Sequence, residues 1–152
     1  MKKVVKILIG VVVVFGLMQL IPIDRTNKPV KTNENFVDIY KTPTEVREIL
    51  KTSCYDCHSN EVVYPSYSNI APISWVIKDH INEGRSRLNF SEWGTYNDYL
   101  KENGIERCVQ TLESYLMPLP SYISYHPEAN LSKQQRELLI NYFNSLKPKA
   151  EN

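Results

Sequence analysis

The chain alternates between one long apolar run and a series of short periodic segments. Nearly every position from Ile7 to Ile23 is apolar, behind Lys2, Lys3 and Lys6. Residues 24–41, "DRTNKPVKTNENFVDIYK", are polar, with one Pro and no sustained period, and predict a linker. A short amphipathic helix is predicted next, since in "KTPTEVREILKTSC" Val46, Ile49 and Leu50 share a helical face. Thr42 is the expected N-cap there, with Pro43 opening the helix and Glu45 completing a T-x-x-E capping box. "EVVYPSYSNIAP" reads as a loop, after which Ile73, Val76, Ile77, His80 and Ile81 fall on one helical face that ends at Gly84. That spacing turns His80 inward. A short helix over 97–102 precedes a longer one in which Ile105, Cys108, Val109, Leu112, Tyr115 and Leu116 recur at helical spacing until "MPLP". The last helix opens on Ser132 and Gln135 as an S-x-x-Q capping box, carries Leu138, Leu139, Tyr142, Phe143 and Leu146 as its stripe, and stops at Pro148.

No strand-like alternation of useful length and no internal repeat interrupts this pattern, so the expected class is all-α with long loops. The divisions are 1–23 as an N-terminal segment, 24–41 as linker, 42–147 as one folded domain and 148–152 as tail. A chain of 152 residues with 42% hydrophobic positions supports one modest core. Its 18 basic and 17 acidic residues leave a formal charge of +1 without a one-sign run, which gives no footprint for nucleic acid.

The lysines followed by the apolar run read as an export or anchoring signal. The run approaches the roughly 17 to 25 helical residues that span a bilayer core. With no small-x-small cleavage site after it, an uncleaved transmembrane helix is favoured over a removed signal peptide. By the positive-inside rule the lysines stay in the cytoplasm. The expectation is a single-pass protein of the bacterial inner membrane, attached to the membrane by this helix, with its C-terminal domain in the periplasm.

"SCYDCHSN" then places Cys54, Cys57 and His58 in the spacing C-x-x-C-H. Two thiols separated by two residues can add to the two vinyl groups of a haem, and a His directly after the second thiol can reach the iron as proximal ligand. Zinc would require two further ligands, and Cys108, His80 and His126 stand singly. A thioredoxin-like dithiol would open a helix after a strand, whereas here a helix precedes the pair. Haem accounts for the position of the His; neither rival needs it. One covalent haem c is therefore the expected cofactor, and its sixth ligand has two candidates. Met117 sits in "YLMPLP" at a helix end, where it can face His58 across the iron and raise the reduction potential. His80 is the alternative and would give a bis-His iron. His126 reads as a surface or loop-bracing residue and Cys108 as a small buried apolar one. Arg85, Arg87, Trp75 and several tyrosines are candidate donors to the haem propionates.

With Cys54, Cys57, His58 and "MPLP" ahead of a capped C-terminal helix, the chain resembles the class I cytochromes c. That resemblance implies a helix before the haem motif crossing the C-terminal helix, with Cys54 and Cys57 as thioether cysteines, His58 as proximal ligand and Met117 as distal ligand. More closely, "CYDCHSNEVVYPSYSNIAPISWVIKDHINEGRSRLNFSEW" with "MPLPSYISYHPEANLS" resembles the bacterial haem-binding domain family, over about Thr42 to Leu146. The "SWVIKDHINEGRSRLNFSEW" insert departs from simpler cytochromes c and keeps His80 in contention. The implied activity is electron transfer between unidentified redox partner proteins rather than enzymatic turnover. A haem-based gas sensor or a peroxidase-like enzyme with an exchangeable distal ligand is the alternative.

Overall fold

A computed structural model describes residues 1–147, which form eight α-helices and three 3-10 turns with no strand among them. Pro148, expected to end the last helix, and the tail 148–152 lie outside the described residues. The all-α expectation stands.

The N-terminal expectation is corrected. Helix α1 (Lys2–Met18) has 17 residues and so rises about 26 Å, short of a hydrocarbon core of about 30 Å. Among the described residues no helix is long and apolar enough to cross a membrane. A transmembrane anchor, and with it the inner-membrane and periplasmic placement, has no support in the fold. The apolar run extends to Ile23, but the helix stops at Met18 and the residues behind it belong to the domain. The Gln19 side-chain amide exchanges two hydrogen bonds with Ala71, its Nε2 donating to the carbonyl at 3.0 Å and its Oε1 accepting from the N–H at 2.9 Å. Trp75 Nε1 donates to the Ile21 carbonyl at 3.0 Å.

The expected linker is also part of the body. Asn27 Nδ2 donates to the Val62 carbonyl at 2.9 Å, and the single turn α2 (Phe36–Ile39) buries Phe36 and Val37 completely. One turn shows no period, so the pattern could not reveal it. Phe36 stands edge-on to Trp93, with ring centroids 5.0 Å apart, and to Phe90 at 5.1 Å.

Helix α3 (Thr44–Ser53) buries Val46, Ile49 and Leu50 as its spacing predicts. Its capping box does not form: Pro43 precedes the helix, and the Thr42 hydroxyl instead meets the Tyr142 hydroxyl at 2.8 Å. The turn α4 (Tyr55–His58) follows at once, then a loop, then α5 (Ile73–Arg87). α5 runs three residues past Gly84, and its buried positions are Ser74, Ile81 and Gly84, while Ile73, Val76 and His80 are exposed. The inward face is thus rotated away from the bulky stripe. Gly84 explains why: a Cβ there would lie 2.5 Å from the Cys57 carbonyl oxygen, so α5 and α4 approach backbone to backbone.

Helix α6 (Asp98–Glu113) joins two segments that the pattern separated, with Asn97 accepting from the Leu100 N–H as its cap. Gly104 lies inside it because the Trp93 ring would sit 3.1 Å from an added Cβ. A Schellman arrangement ends α6: Leu116 N–H donates to Thr111 O and Tyr115 N–H to Leu112 O, at 3.0 and 3.2 Å, with Tyr115 at φ 57°. The turn α7 (Pro120–Tyr125) is too short to show a period in the sequence, and α8 (Lys133–Ser145) carries the predicted reciprocal capping box of Ser132 and Gln135. α8 packs along α6 and also against α3, so Leu50, Ile105, Val109, Leu139 and Phe143 share one buried cluster. Helix α3 delivers its last residue, Ser53, directly to the C-x-x-C-H turn.

Candidate functional site

Cys54 is the hinge between α3 and α4: its N–H still donates to Leu50 O at 2.9 Å, while its own carbonyl accepts from Cys57 N–H at 3.2 Å and His58 N–H at 3.0 Å. One turn therefore holds both thiols and the imidazole. Tyr55 nails that turn to the core, fully buried and stacked on Phe90 at 5.4 Å, with its hydroxyl donating to Asn35 Oδ1 at 3.1 Å.

His58 is held from behind by α5. Its Nδ1 lies 3.0 Å from the Gly84 carbonyl and 3.1 Å from the Leu88 carbonyl. A carbonyl only accepts, so Nδ1 carries the proton and Nε2 keeps its lone pair. Burial pushes the His58 pKa below its ordinary value of 6.5, against the opposing pull of those two carbonyls. The ring is thereby the neutral tautomer that a metal requires.

The thiols are shielded. Burial pushes Cys54 up to about 12, with the neighbouring Cys57 adding to it, and pushes Cys57 up to about 11, helped by Asp56 and opposed by Arg85. Reactive dithiols instead carry a depressed pKa, so this pair lacks the character of a disulfide oxidoreductase. Zinc fares no better: among the described residues no three His, Cys, Asp or Glu side chains come together to hold a metal. Cys108 on α6 is half-buried, and its thiol is raised chiefly by burial and secondarily by its proximity to Cys54.

The two candidate distal residues sit differently. Met117 is half-buried in the loop after α6, where its carbonyl accepts from Arg136 Nη1 at 2.9 Å. The same Nη1 reaches Leu112 O at 2.9 Å, and the Arg136 guanidinium lies 4.3 Å over the Tyr115 ring. A buried arginine on α8 thus holds the start of the methionine loop. His80 is exposed rather than turned inward, and its side chain makes no hydrogen bond among the described residues. No hydrogen bond joins either residue to the C-x-x-C-H turn.

Of the expected propionate donors, Trp75 is spent on Ile21, Arg85 Nε donates to Ser59 O at 2.7 Å, and Arg87 pairs with Glu83 at 2.7 Å. The loop after His58 offers others, since the buried hydroxyl oxygens of Tyr64 and Ser68 have no partner among the described residues. Pattern reading also missed Tyr122, whose hydroxyl donates to Asp56 Oδ2 at 2.7 Å and whose ring stacks on His126 at 4.4 Å. His126 meets the Tyr67 hydroxyl through Nε2 at 2.9 Å and Glu128 through Nδ1 at 3.1 Å, which bears out its bracing role. A pairing between Asp56 inside the motif and a tyrosine 66 positions later leaves no local signal.

Two thiols and a tautomer-fixed imidazole on one turn, in an all-helical frame, fit a haem and define a haem-binding class of protein. The model of a family described as haem-binding domain matches residues 13–145. The chain belongs to the haem-binding domain family. The matched stretch begins inside α1, in keeping with an N-terminal segment that belongs to the domain. No curated protein and no solved structure matches the chain.

Proposed function

We propose that the chain is a monohaem electron carrier of the c type, with Cys54 and Cys57 as thioether anchors and His58 Nε2 as proximal ligand. The observation that carries this reading is the double carbonyl grip on His58 Nδ1, which leaves Nε2 free on the same turn as both thiols. Bound haem supplies a one-electron couple at iron. The protein's part is to keep the imidazole neutral and oriented, to keep the thiols protonated until they are attached, and to present a second ligand.

Met117 is the better second ligand. Gly84 and Leu88, which grip Nδ1, belong to α5 and its C-cap, so α5 stands behind His58 on the side away from Nε2. His80 lies on that same helix, one turn before Gly84. Arg136, by contrast, fixes the backbone at Met117. A haem held by His58 and Met117 together would leave its iron nothing for substrate to bind, which is why electron transfer is proposed ahead of enzymatic turnover or gas binding.

Mass spectrometry of the full chain from a haem-attaching host tests the anchor assignment: a mass increase of one haem is expected, and its absence overturns it. The absorption spectrum tests the rest. A low-spin ferrous form indifferent to carbon monoxide, with a red-end ferric band lost in Met117→Ala, is expected. A high-spin or carbon monoxide-sensitive form selects the gas-binding or peroxidase-like alternative, and a band unaffected by Met117→Ala removes Met117 from the iron.

A further inference from the structure

The peptide group between Leu88 and Asn89 is used at both ends. Its carbonyl, Leu88 O, accepts from His58 Nδ1 at 3.1 Å, and its N–H, on Asn89, donates to the Tyr96 hydroxyl oxygen at 2.9 Å. We infer that Tyr96 is a positioning residue that sets the electron-donating strength of His58 through this one amide. The inference rests on the haem reading of His58 proposed above.

The physics is that of a short hydrogen-bond chain. An amide whose N–H is engaged carries more negative charge on its oxygen, so it accepts more strongly at the other end. A stronger acceptor at Nδ1 gives the imidazole more anionic character and makes Nε2 a better donor to a metal. A better donor favours the more oxidised state of the metal, so the Tyr96 hydroxyl lowers the reduction potential from a residue that touches neither ligand nor cofactor. The Gly84 carbonyl cannot take over this role freely, because it also accepts from Leu88 N–H at 2.9 Å.

A buried network keeps the chain in register. Asn89 Nδ2 donates to Asn60 Oδ1 at 3.1 Å, Asn89 Oδ1 accepts from Ser91 N–H at 3.0 Å, and Ser91 Oγ accepts from Asn60 N–H at 3.0 Å. Asn60 follows His58 by two residues and Asn89 follows Leu88 by one, so the network ties together the two strands of chain that the His58 bond joins. Asn60, Asn89 and Ser91 are all buried, which prevents water from replacing these partners. Tyr96 is held by its ring against Trp93, 5.7 Å between centroids. Burial also keeps its phenol above the ordinary range, so the acceptor is a neutral hydroxyl.

Tyr96→Phe removes the oxygen and keeps the ring. In the haem-loaded full chain the variant is expected to show an unchanged haem mass, a midpoint potential shifted positive, and an upfield shift of the His58 Nδ1–H proton resonance in the ferrous state. Tyr40→Phe is the control, since the Tyr40 hydroxyl accepts from Trp93 Nε1 at 3.4 Å in the same aromatic cluster but does not reach this peptide. Site-specific difluorotyrosine at position 96, measured at a pH low enough to keep its more acidic phenol protonated, weakens the acceptor without removing it and is expected to give a smaller shift of the same sign. It serves as the test if Tyr96→Phe does not fold. An unmoved potential and resonance, or an equal shift in Tyr40→Phe, overturns the inference while leaving the haem reading intact. Absence of haem from the wild-type chain overturns the haem reading and the inference with it.

Discussion

Gly84→Ala sets two effects of opposite sign against each other. Alanine is the better helix former by about 1 kcal/mol in a helix interior, so propensity alone makes the variant more stable. The added Cβ, however, would stand 2.5 Å from the Cys57 carbonyl oxygen, 3.1 Å from its carbon and 3.2 Å from the Cys57 Cβ. A normal carbon–oxygen contact is about 3.3 Å, so α5 must retreat from α4 by about 0.8 Å. Both surfaces are backbone, and no side chain can swing aside. Overpacking of this kind costs about 1–3 kcal/mol. The retreat also carries the Gly84 carbonyl away from His58 Nδ1, which costs a further 1 kcal/mol or so. The net is about 2 kcal/mol of destabilisation, or roughly 4–8 °C in Tm for a domain of this size. Equilibrium urea unfolding followed by far-ultraviolet circular dichroism, wild type beside variant, reads this directly. A Gly84→Ala protein as stable as wild type, or more so, refutes the close-approach account, because only the propensity effect would then be operating.

Arg136→Met removes the donor shared by Leu112 O and Met117 O; a loss of about 2 kcal/mol is expected in the same assay, with a weakened red-end ferric band in the haem-loaded protein. An unchanged band would separate the arginine from the methionine loop. The depressed pKa of His58 fixes a sign for pH dependence in the chain made without haem. Between the folded-state pKa and the ordinary 6.5, the unfolded chain binds more protons than the folded one. Stability therefore falls as pH drops through that window. His58→Gln is expected to flatten the fall, and a variant that keeps the full acid sensitivity assigns it elsewhere.

The parts legible in the sequence were those whose information is local. C-x-x-C-H is one turn, the Ser132 and Gln135 capping box spans four residues, and the stripes of α3 and α8 repeat at a fixed period. Long-range contacts overrode the pattern elsewhere. The bulky stripe of α5 predicted an inward Ile73, Val76 and His80, but the close approach to Cys57 turned the Gly84 side inward instead. The pattern separated 97–102 from the helix beginning at Ile105, and Trp93 makes the intervening Gly104 a site of contact within one continuous helix. Phe36 and Val37 belong to a single turn in a polar stretch, so only the assembled core discloses them. The apolar run at the N-terminus counted residues without knowing where the helix would stop, five of them falling after Met18.

The grip on His58 also has an electrostatic reading. Gly84 lies in the last turn of α5 and Leu88 is its C-cap, so both carbonyls that face Nδ1 belong to the negative pole of a 15-residue helix. The partial charge of a helix terminus is concentrated within its last turn and favours positive charge placed there. His58 therefore sits in a standing field that stabilises any cationic character it acquires, and burial protects that field from salt. Arg85 and Arg87 share the turn, with Arg87 paired to Glu83. Residues 83–88, which contain none of the proposed ligands, thus border the site through the pole of α5.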